Sequence, residues 1–353
     1  MPRSRALLTA LAIAAASLLA APAGAGAAPD REVTVMSRNL YLGADIIKAA
    51  GAPTPEAQAQ AATALWHTVQ QTNFPVRAIA LADEIQRAQP DLIGLQEVSL
   101  WRTTPPGVTN NVKDANVVAY DFLALLQDRL RALGLHYEAA VVQQEADFEV
   151  PTAEHFDLRL TMRDVILRRT NKAGQKVKVT GTLQGNYTTN LAVPIQGQTV
   201  VSLRGWTAID ARLGNIPFRF VDTHLEAFGA TIRQAQAQEL VQGPLNVTDR
   251  PVILVGDLNS DPNDASPEGL AYKAIAGAGF VEAFDPPFPA TSGQSETLTN
   301  PVSTLSSFID HILSRPRLRT VSTDVVGDQP ADRIQGLWPS DHAGVVATLE
   351  LPG

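Results

Sequence analysis

Gly256-Asp257-Leu258-Asn259 closes one apolar run of this chain, and Ser340-Asp341-His342 opens another, with Asp341 standing 84 positions after Asp257. A carboxylate two residues from an amide, and a carboxylate beside an imidazole, together supply what metal-assisted hydrolysis requires. They offer oxygen ligands for a hard cation, donors that polarise a reacting group, and groups that carry protons. Other polar residues stand at the ends of further apolar runs: Asn39 after Val33–Ser37, Glu97 after Leu92–Gln96, His224 after Phe218–Thr223, and Asp310 after Phe308-Ile309. Singly, each reads as a turn cap or an ordinary hydrogen-bonding residue. As a series they point to one site assembled from strand ends.

The elements that position these residues follow from pattern. Val33–Ser37 reads as a strand, followed by a turn at Gly43. An Ala/Gln-rich segment, Thr54–Gln71, has helical composition, and Val76–Gln89 is amphipathic with Pro90 as its stop. Asp91–Val98 reads as a buried strand that ends in an acid. Arg102–Asn116 lacks periodicity and reads as a loop, and Val117–Leu133 as a helix ended by Gly134. From Val141 to Thr207, strand-like pieces alternate with Gly/Asn turns, as in an antiparallel sheet with a long hairpin. Alternation returns over Phe218–His224, then a helix over Thr231–Val241, and apolar strands at Val252–Val255, Phe308–Leu313 and Val345–Leu351. Strands and helices interspersed in this way predict two mixed sheets with outer helices.

Arg3 and Arg5 precede an apolar stretch, Ala6–Ala21, and Ala25-Gly26-Ala27 fits an export cleavage signal. Residues 1–28 are therefore expected to be a signal peptide, with 29–353 as one catalytic domain and a secreted, extracellular product. Arg3 and Arg5 are separated by Ser4, so the twin-arginine pattern is absent and the general export route is expected. Without the two leader arginines, 26 basic residues face 36 acidic ones, a formal charge of −10, which disfavours nonspecific grip on nucleic acid. No cysteine occurs, which removes disulfides and thiolate chemistry alike.

The blocks Ser37-Arg38-Asn39-Leu40, Leu95-Gln96-Glu97-Val98, Asp222-Thr223-His224-Leu225, Gly256-Asp257-Leu258-Asn259, Phe308-Ile309-Asp310-His311 and Ser340-Asp341-His342 run in the order of the endonuclease/exonuclease/phosphatase superfamily. The chain resembles that family, which includes deoxyribonuclease I and the neutral sphingomyelinases, over nearly its whole length. Leu-Gln-Glu-Val is weak alone, whereas Gly-Asp-x-Asn followed by Ser-Asp-His is specific.

The resemblance implies an α+β fold, a four-layer αββα sandwich of two mixed sheets flanked by helices. It implies Mg²⁺, with Mn²⁺ or Ca²⁺ as substitutes, on Glu97 and Asn39, with Asp341 at the same or a second metal position. Hard cations suit such oxygen donors, and no thiolate or His-x-x-x-His cage competes. Asp257 and His342 are implied as proton handlers, with the base open between them. Asn259 would hold the attacking water or a phosphate oxygen, Asp310 would fix the tautomer of His342, and His224 would donate to the phosphate. Arg163 and Asp164 fall on a strand where the family often has a phosphate-contacting or His-orienting group.

His311, adjacent to Asp310 in a strand, is expected to face away from the site. His67, His136, His155 and Glu226 read as surface or structural residues, and Trp101, Tyr187, Trp206 and Trp338 as core or rim.

The expected function is hydrolysis of a phosphodiester by a metal-dependent phosphodiesterase, with nucleic acid as the favoured substrate. A sphingomyelinase-type phospholipase C acting on a phospholipid headgroup is the alternative, and an inactive binding module on the same scaffold the third reading. The one evident basic series is Arg102, Lys113, Arg159, Arg163, Arg168, Arg169, Lys172, Lys176 and Lys178. No protein partner is indicated, and a monomer is expected.

Overall fold

The computed structural model describes residues 31–110, 112–174, 177–195 and 198–353. The expected leader and Lys176 lie outside these residues. An eight-stranded sheet runs in the order Arg319–Val326, Gly344–Glu350, Glu32–Asn39, Leu92–Gln96, Asp157–Arg169, Leu100–Thr103, Val117–Asp121, with Tyr137–Pro151 also paired to Asp157–Arg169. A six-stranded sheet runs Val281–Glu282, Asp310–Arg315, Val252–Asp257, Ile216–His224, Gly205–Leu213, Val177–Asn186. Both are mixed: Glu32–Asn39 is parallel to Leu92–Gln96, and Ile216–His224 is parallel to Val252–Asp257, while the other pairs are antiparallel.

Strands buried on both faces read as unbroken apolar runs, and Leu92–Gln96 and Val252–Asp257 have every residue buried. The inner faces share a core that includes Val35, Leu92, Ile166, Phe220, Ile253 and Val345. Helices Pro55–Gln71, Phe74–Ala88 and Phe122–Ala132 cover the outer face of the first sheet, and Ala230–Gln242 and Leu270–Gly277 that of the second. The result is the expected αββα sandwich. Among the described residues no helix is long and apolar enough to cross a membrane.

Two contacts register one sheet on the other beneath the site. A Cβ on Gly94 would lie 2.5 Å from the Val255 side chain and 2.6 Å from the Asp222 carboxylate, so only glycine lets the sheets approach there. One residue before Glu97, Gln96 donates from Nε2 to Asp222 Oδ1 at 2.6 Å, two residues before His224. The two halves of the putative strand-end series are thereby tied together through the core.

Arg77 ties the loops on the same side. Fully buried, it donates to the carbonyls of Thr72, Leu40, Pro339 and Tyr41 at 2.7–3.0 Å. Arg77→Ala would strand four buried acceptors and leave a cavity, so we expect a loss of about 3 kcal/mol or more of unfolding free energy. Chemical denaturation with an unchanged midpoint would contradict this.

Two segments differ from the sequence expectation. Val117–Asp121 is a strand, antiparallel to Leu100–Thr103, and only Phe122–Ala132 is helical. The β-branched pair Val117-Val118 favours the sheet edge, and the Asp121 carboxylate caps the helix by accepting from the Leu123 and Ala124 amides at 3.1 and 3.4 Å. Leu100–Thr103 thereby takes the first two residues of the expected Arg102–Asn116 loop into the sheet.

Candidate active site

Strand ends from both sheets open into a cleft of about 370 Å³ lined by Glu97, His224, Asp257, Asn259, Asp341 and His342. Asn39 and Asp310 stand behind this lining, each bonded to a residue that reaches the cleft. All eight residues singled out from sequence therefore belong to one constellation.

Local backbone geometry aims these groups. Gly256 has φ +152°, and a Cβ there would meet the Thr223 carbonyl at 2.1 Å, so the glycine of Gly-Asp-x-Asn lets Asp257 end its strand against the parallel strand ending in His224. Glu97 and Asn259 adopt left-handed conformations, φ +56° and +48°, which non-glycine residues hold only when their surroundings enforce them. Such strain collects where a side chain must be aimed rather than packed.

Asp257 is the hub. Its Oδ2 accepts from Asn39 Nδ2 at 3.0 Å and its Oδ1 from the Asn259 amide at 2.9 Å. Two imidazoles flank it, with His224 Nε2 at 3.5 Å and His342 Nε2 at 3.8 Å from Oδ2. Burial raises its pKa to about 6, opposed by His342. That places a usable base near neutral pH.

His342 Nδ1 meets Asp310 Oδ2 at 2.8 Å, and Ser292 Oγ lies 3.3 Å from Nε2. Burial disfavours its charge, yet Asp310, Asp341 and Asp257 outweigh that and push its pKa well up. His224 moves the opposite way, held well below the usual range by burial, Arg204 and His342. Two histidines in one cleft are thus set in different protonation states.

Glu97 and Asp341 supply the hard oxygens. Glu97 Oε2 accepts the Leu42 amide at 2.7 Å, while its other oxygen has no hydrogen-bond partner among the described residues. Burial and the Asp341 charge raise the Glu97 pKa to about 7, and Asp341 is likewise raised, first by burial. Two desolvated carboxylates penalised in this way, one with a spare oxygen, fit a divalent cation. Asn39 uses Oδ1 for the Tyr41 amide at 2.8 Å and Nδ2 for Asp257, so its observed contacts orient the hub. Asp257, Asp310 and His342 also bring one donor atom each within 4.8 Å of the others, but the short Asp310–His342 bond occupies that group as a proton chain.

Sequence reading missed Arg204, the only Lys or Arg lining the cleft. Its Nη1 donates to His224 Nδ1 at 2.9 Å, which leaves the His224 proton on Nε2. Gly205 pairs with His224 across neighbouring strands, a proximity that no local pattern encodes. Glu226, read from sequence as structural, is fully buried with Oε2 3.6 Å from Arg204 Nε. Asp164 is buried beside His224 and Glu145, whereas Arg163 faces elsewhere and holds the Val98 carbonyl and Asp121. His311 turns away, as expected, to Glu282 and the Ser260 carbonyl.

The buried acids behind His224 give the fold a pH dependence. Burial raises Glu145 to about 7, and Asp164 and Asp222 well above the carboxylate range. Raised folded pKa values mean that the folded state binds more protons than the unfolded state, so stability falls as pH rises through them. His342 acts in the same direction, and His224 contributes only below its unfolded value near 6.5. With chelator present, the melting temperature should drop between pH 6.5 and 8.5. A rise across that interval would show the cluster to be organised differently.

Solved structures share this fold. An endonuclease/exonuclease/phosphatase family protein from Bacteroides thetaiotaomicron is 18% identical with TM-score 0.54, covering 90% of this chain and 97% of its own. A mannosyl-6-phosphatase from the same organism is 19% identical with TM-score 0.54, covering 90% and 99%. An endonuclease/exonuclease/phosphatase from Beutenbergia cavernae is 19% identical with TM-score 0.55, covering 92% and 72%. No curated protein matches. The Endonuclease/Exonuclease/phosphatase family model matches residues 69–342, a span that takes in every constellation residue except Asn39. The chain belongs to the endonuclease/exonuclease/phosphatase family.

Proposed function

We propose that this chain is an exported, divalent-metal-dependent phosphoester hydrolase whose substrate is a compact phosphoester rather than a nucleic-acid strand. The family acts on phosphoesters and is divalent-metal dependent. The observation that carries the reading is the convergence of Glu97, Asp341, Asp257 and two histidines of opposite charge preference on one cleft. Glu97 and Asp341 would hold Mg²⁺, or Mn²⁺ or Ca²⁺ in its place, with Asn39 supporting from behind. Bound there, the ion supplies positive charge to the phosphate and to the departing oxygen.

This chain's own residues then divide the work. Asp257, held by Asn39 and the Asn259 amide, takes the proton of the attacking water. Asn259 has its Nδ2 on the Leu225 carbonyl at 3.0 Å, which fixes the turn beside that water. His342, charged and oriented by Asp310, donates from Nε2 to the phosphate or leaving oxygen. His224, neutral with its proton on Nε2, donates from the opposite side, and Arg204 faces the same phosphate.

The expected nucleic-acid substrate loses support from the fate of the basic series. Asp147 takes Arg159 at 2.6 Å, Lys113 at 3.2 Å and Arg102 at 3.5 Å. Asp121 takes Arg163, Glu138 takes Arg168, and Asp91 takes Lys172. Paired cations release few counterions and make a poor phosphate track. Asp45 and Glu296 add negative charge to the cleft lining, while the exposed Phe228 adds an apolar edge. This suits a single phosphate on a neutral or cationic alcohol.

The test is product release in parallel from supercoiled DNA, sphingomyelin vesicles and a hexose 6-phosphate. We expect turnover of a compact substrate in excess over DNA, and dominant DNA nicking would overturn the substrate assignment. Export with cleavage near Ala28 predicts that secreted protein begins at Ala28 or Pro29. Intact-mass measurement of a product retaining Met1–Ala27 would oppose it.

A further inference from the structure

Behind Arg204 lies a group of acids that the reaction above leaves unused. Glu145 and Asp164 are almost fully buried, and none of their four carboxylate oxygens has a hydrogen-bond partner of ordinary geometry. Each brings an oxygen within 4.8 Å of the other and of a His224 ring nitrogen. Glu226, with 0% exposure, has an unpartnered Oε2 that faces Arg204 Nε at 3.6 Å. Unpartnered buried carboxylates oppose folding, so stability does not explain them.

The backbone is arranged to keep them there. The pairing of Tyr137–Pro151 with Asp157–Arg169 shifts register between Gln144 and Asp147, and this irregularity buries the consecutive residues Glu145 and Ala146 where regular alternation would expose one of them. Bulges re-aim side chains in this way beside active sites. Glu226 is pinned separately. Its Oε1 accepts the Phe228 amide at 3.0 Å, its amide donates to Gln236, and Arg233 donates to its carbonyl at 2.6 Å. Arg204, meanwhile, donates Nη1 to His224 and has no partner for Nη2 among the described residues.

Resting on the phosphoesterase reading, we propose that Glu226 and Glu145 are positioning residues that hold the Arg204 guanidinium as a preset cation, with Nη2 turned to the substrate phosphate. The carboxylates act on Arg204 from opposite elements, Glu226 from the loop after the His224 strand and Glu145 from the register shift. Asp164 completes the cradle beside His224. A flexible arginine fixed before substrate arrives needs no reorganisation in the transition state.

The test uses Glu226→Gln and Glu145→Gln, which keep shape and remove charge, with Arg204→Ala as reference. Bis-p-nitrophenyl phosphate hydrolysis is measured with Mg²⁺, alongside calorimetric binding of inorganic phosphate to the same Mg²⁺-loaded proteins. We expect each Gln variant to lose about 10–100-fold in kcat, with KM little changed, as carboxylates that orient a working group do elsewhere. Phosphate affinity should fall about tenfold, in the range of one charge-assisted contact. Melting temperature should hold or rise, because a buried charge is removed, and Glu226→Asp should recover part of kcat. A purely structural role predicts a lower melting temperature with kcat intact.

The cradle is refuted if both Gln variants keep kcat and phosphate affinity within twofold of wild type while Arg204→Ala loses phosphate. Wild-type protein that binds no phosphate also refutes it. If wild type hydrolyses nothing, yet phosphate affinity falls in the Gln variants, the reaction assignment fails and the cradle stands.

Discussion

Asp257→Asn should lower turnover by about 10⁴-fold, the upper range for loss of a general base, while leaving the melting temperature at or above that of wild type. Asn keeps the size of the side chain and can still receive the Asn39 and Asn259 contacts, so the fold has little reason to respond. It cannot take a proton from water. Asp257 is also a carboxylate disfavoured by burial, and its neutral replacement removes that penalty. Retention of more than a tenth of wild-type turnover would remove Asp257 from the base role and leave His342 to fill it.

Glu97→Gln carries the second large effect. The amide preserves the acceptor for the Leu42 amide but removes the charge that, beside Asp341, suits a divalent ion. Turnover at fixed Mg²⁺ should fall by about 10³-fold, comparable with the loss of a strong transition-state charge contact. Apparent affinity for Mg²⁺ should weaken in parallel, and higher metal concentrations should restore part of the rate. Calorimetric Mg²⁺ binding equal to wild type would place the ion on other ligands, the Asp257–Asp310–His342 group being the next that geometry offers.

The line between what the sequence made legible and what it did not follows the range of the interactions. Gly256-Asp257-Leu258-Asn259 could be read because its constraints are local: a glycine with positive φ, a strand end and an amide two residues on. The apolar runs were equally readable, since burial on both faces dictates composition. Arg204 was invisible because its meaning depends on the strand pairing of Gly205 with His224. Glu226 and Glu145 were misplaced or passed over for the same reason, one sitting beyond a strand end and the other at a register shift.

The basic series teaches the converse. Its cations cluster in sequence, and Asp147, which neutralises three of them, is brought to Arg102 and Lys113 only when strands distant in sequence pair. Val117–Asp121 shows how tertiary pairing overrides a segment whose composition also suits a helix.

The central claim is that this cleft hydrolyses a phosphoester with the help of a divalent cation. Its most direct test is the initial rate of bis-p-nitrophenyl phosphate hydrolysis by residues 29–353 as free Mg²⁺ is raised from a chelated baseline. The account predicts no turnover with chelator, a saturable rise with Mg²⁺, and displacement of that curve to higher metal in Glu97→Gln. Turnover that persists in chelator, or a Glu97→Gln curve that overlays wild type, would contradict it.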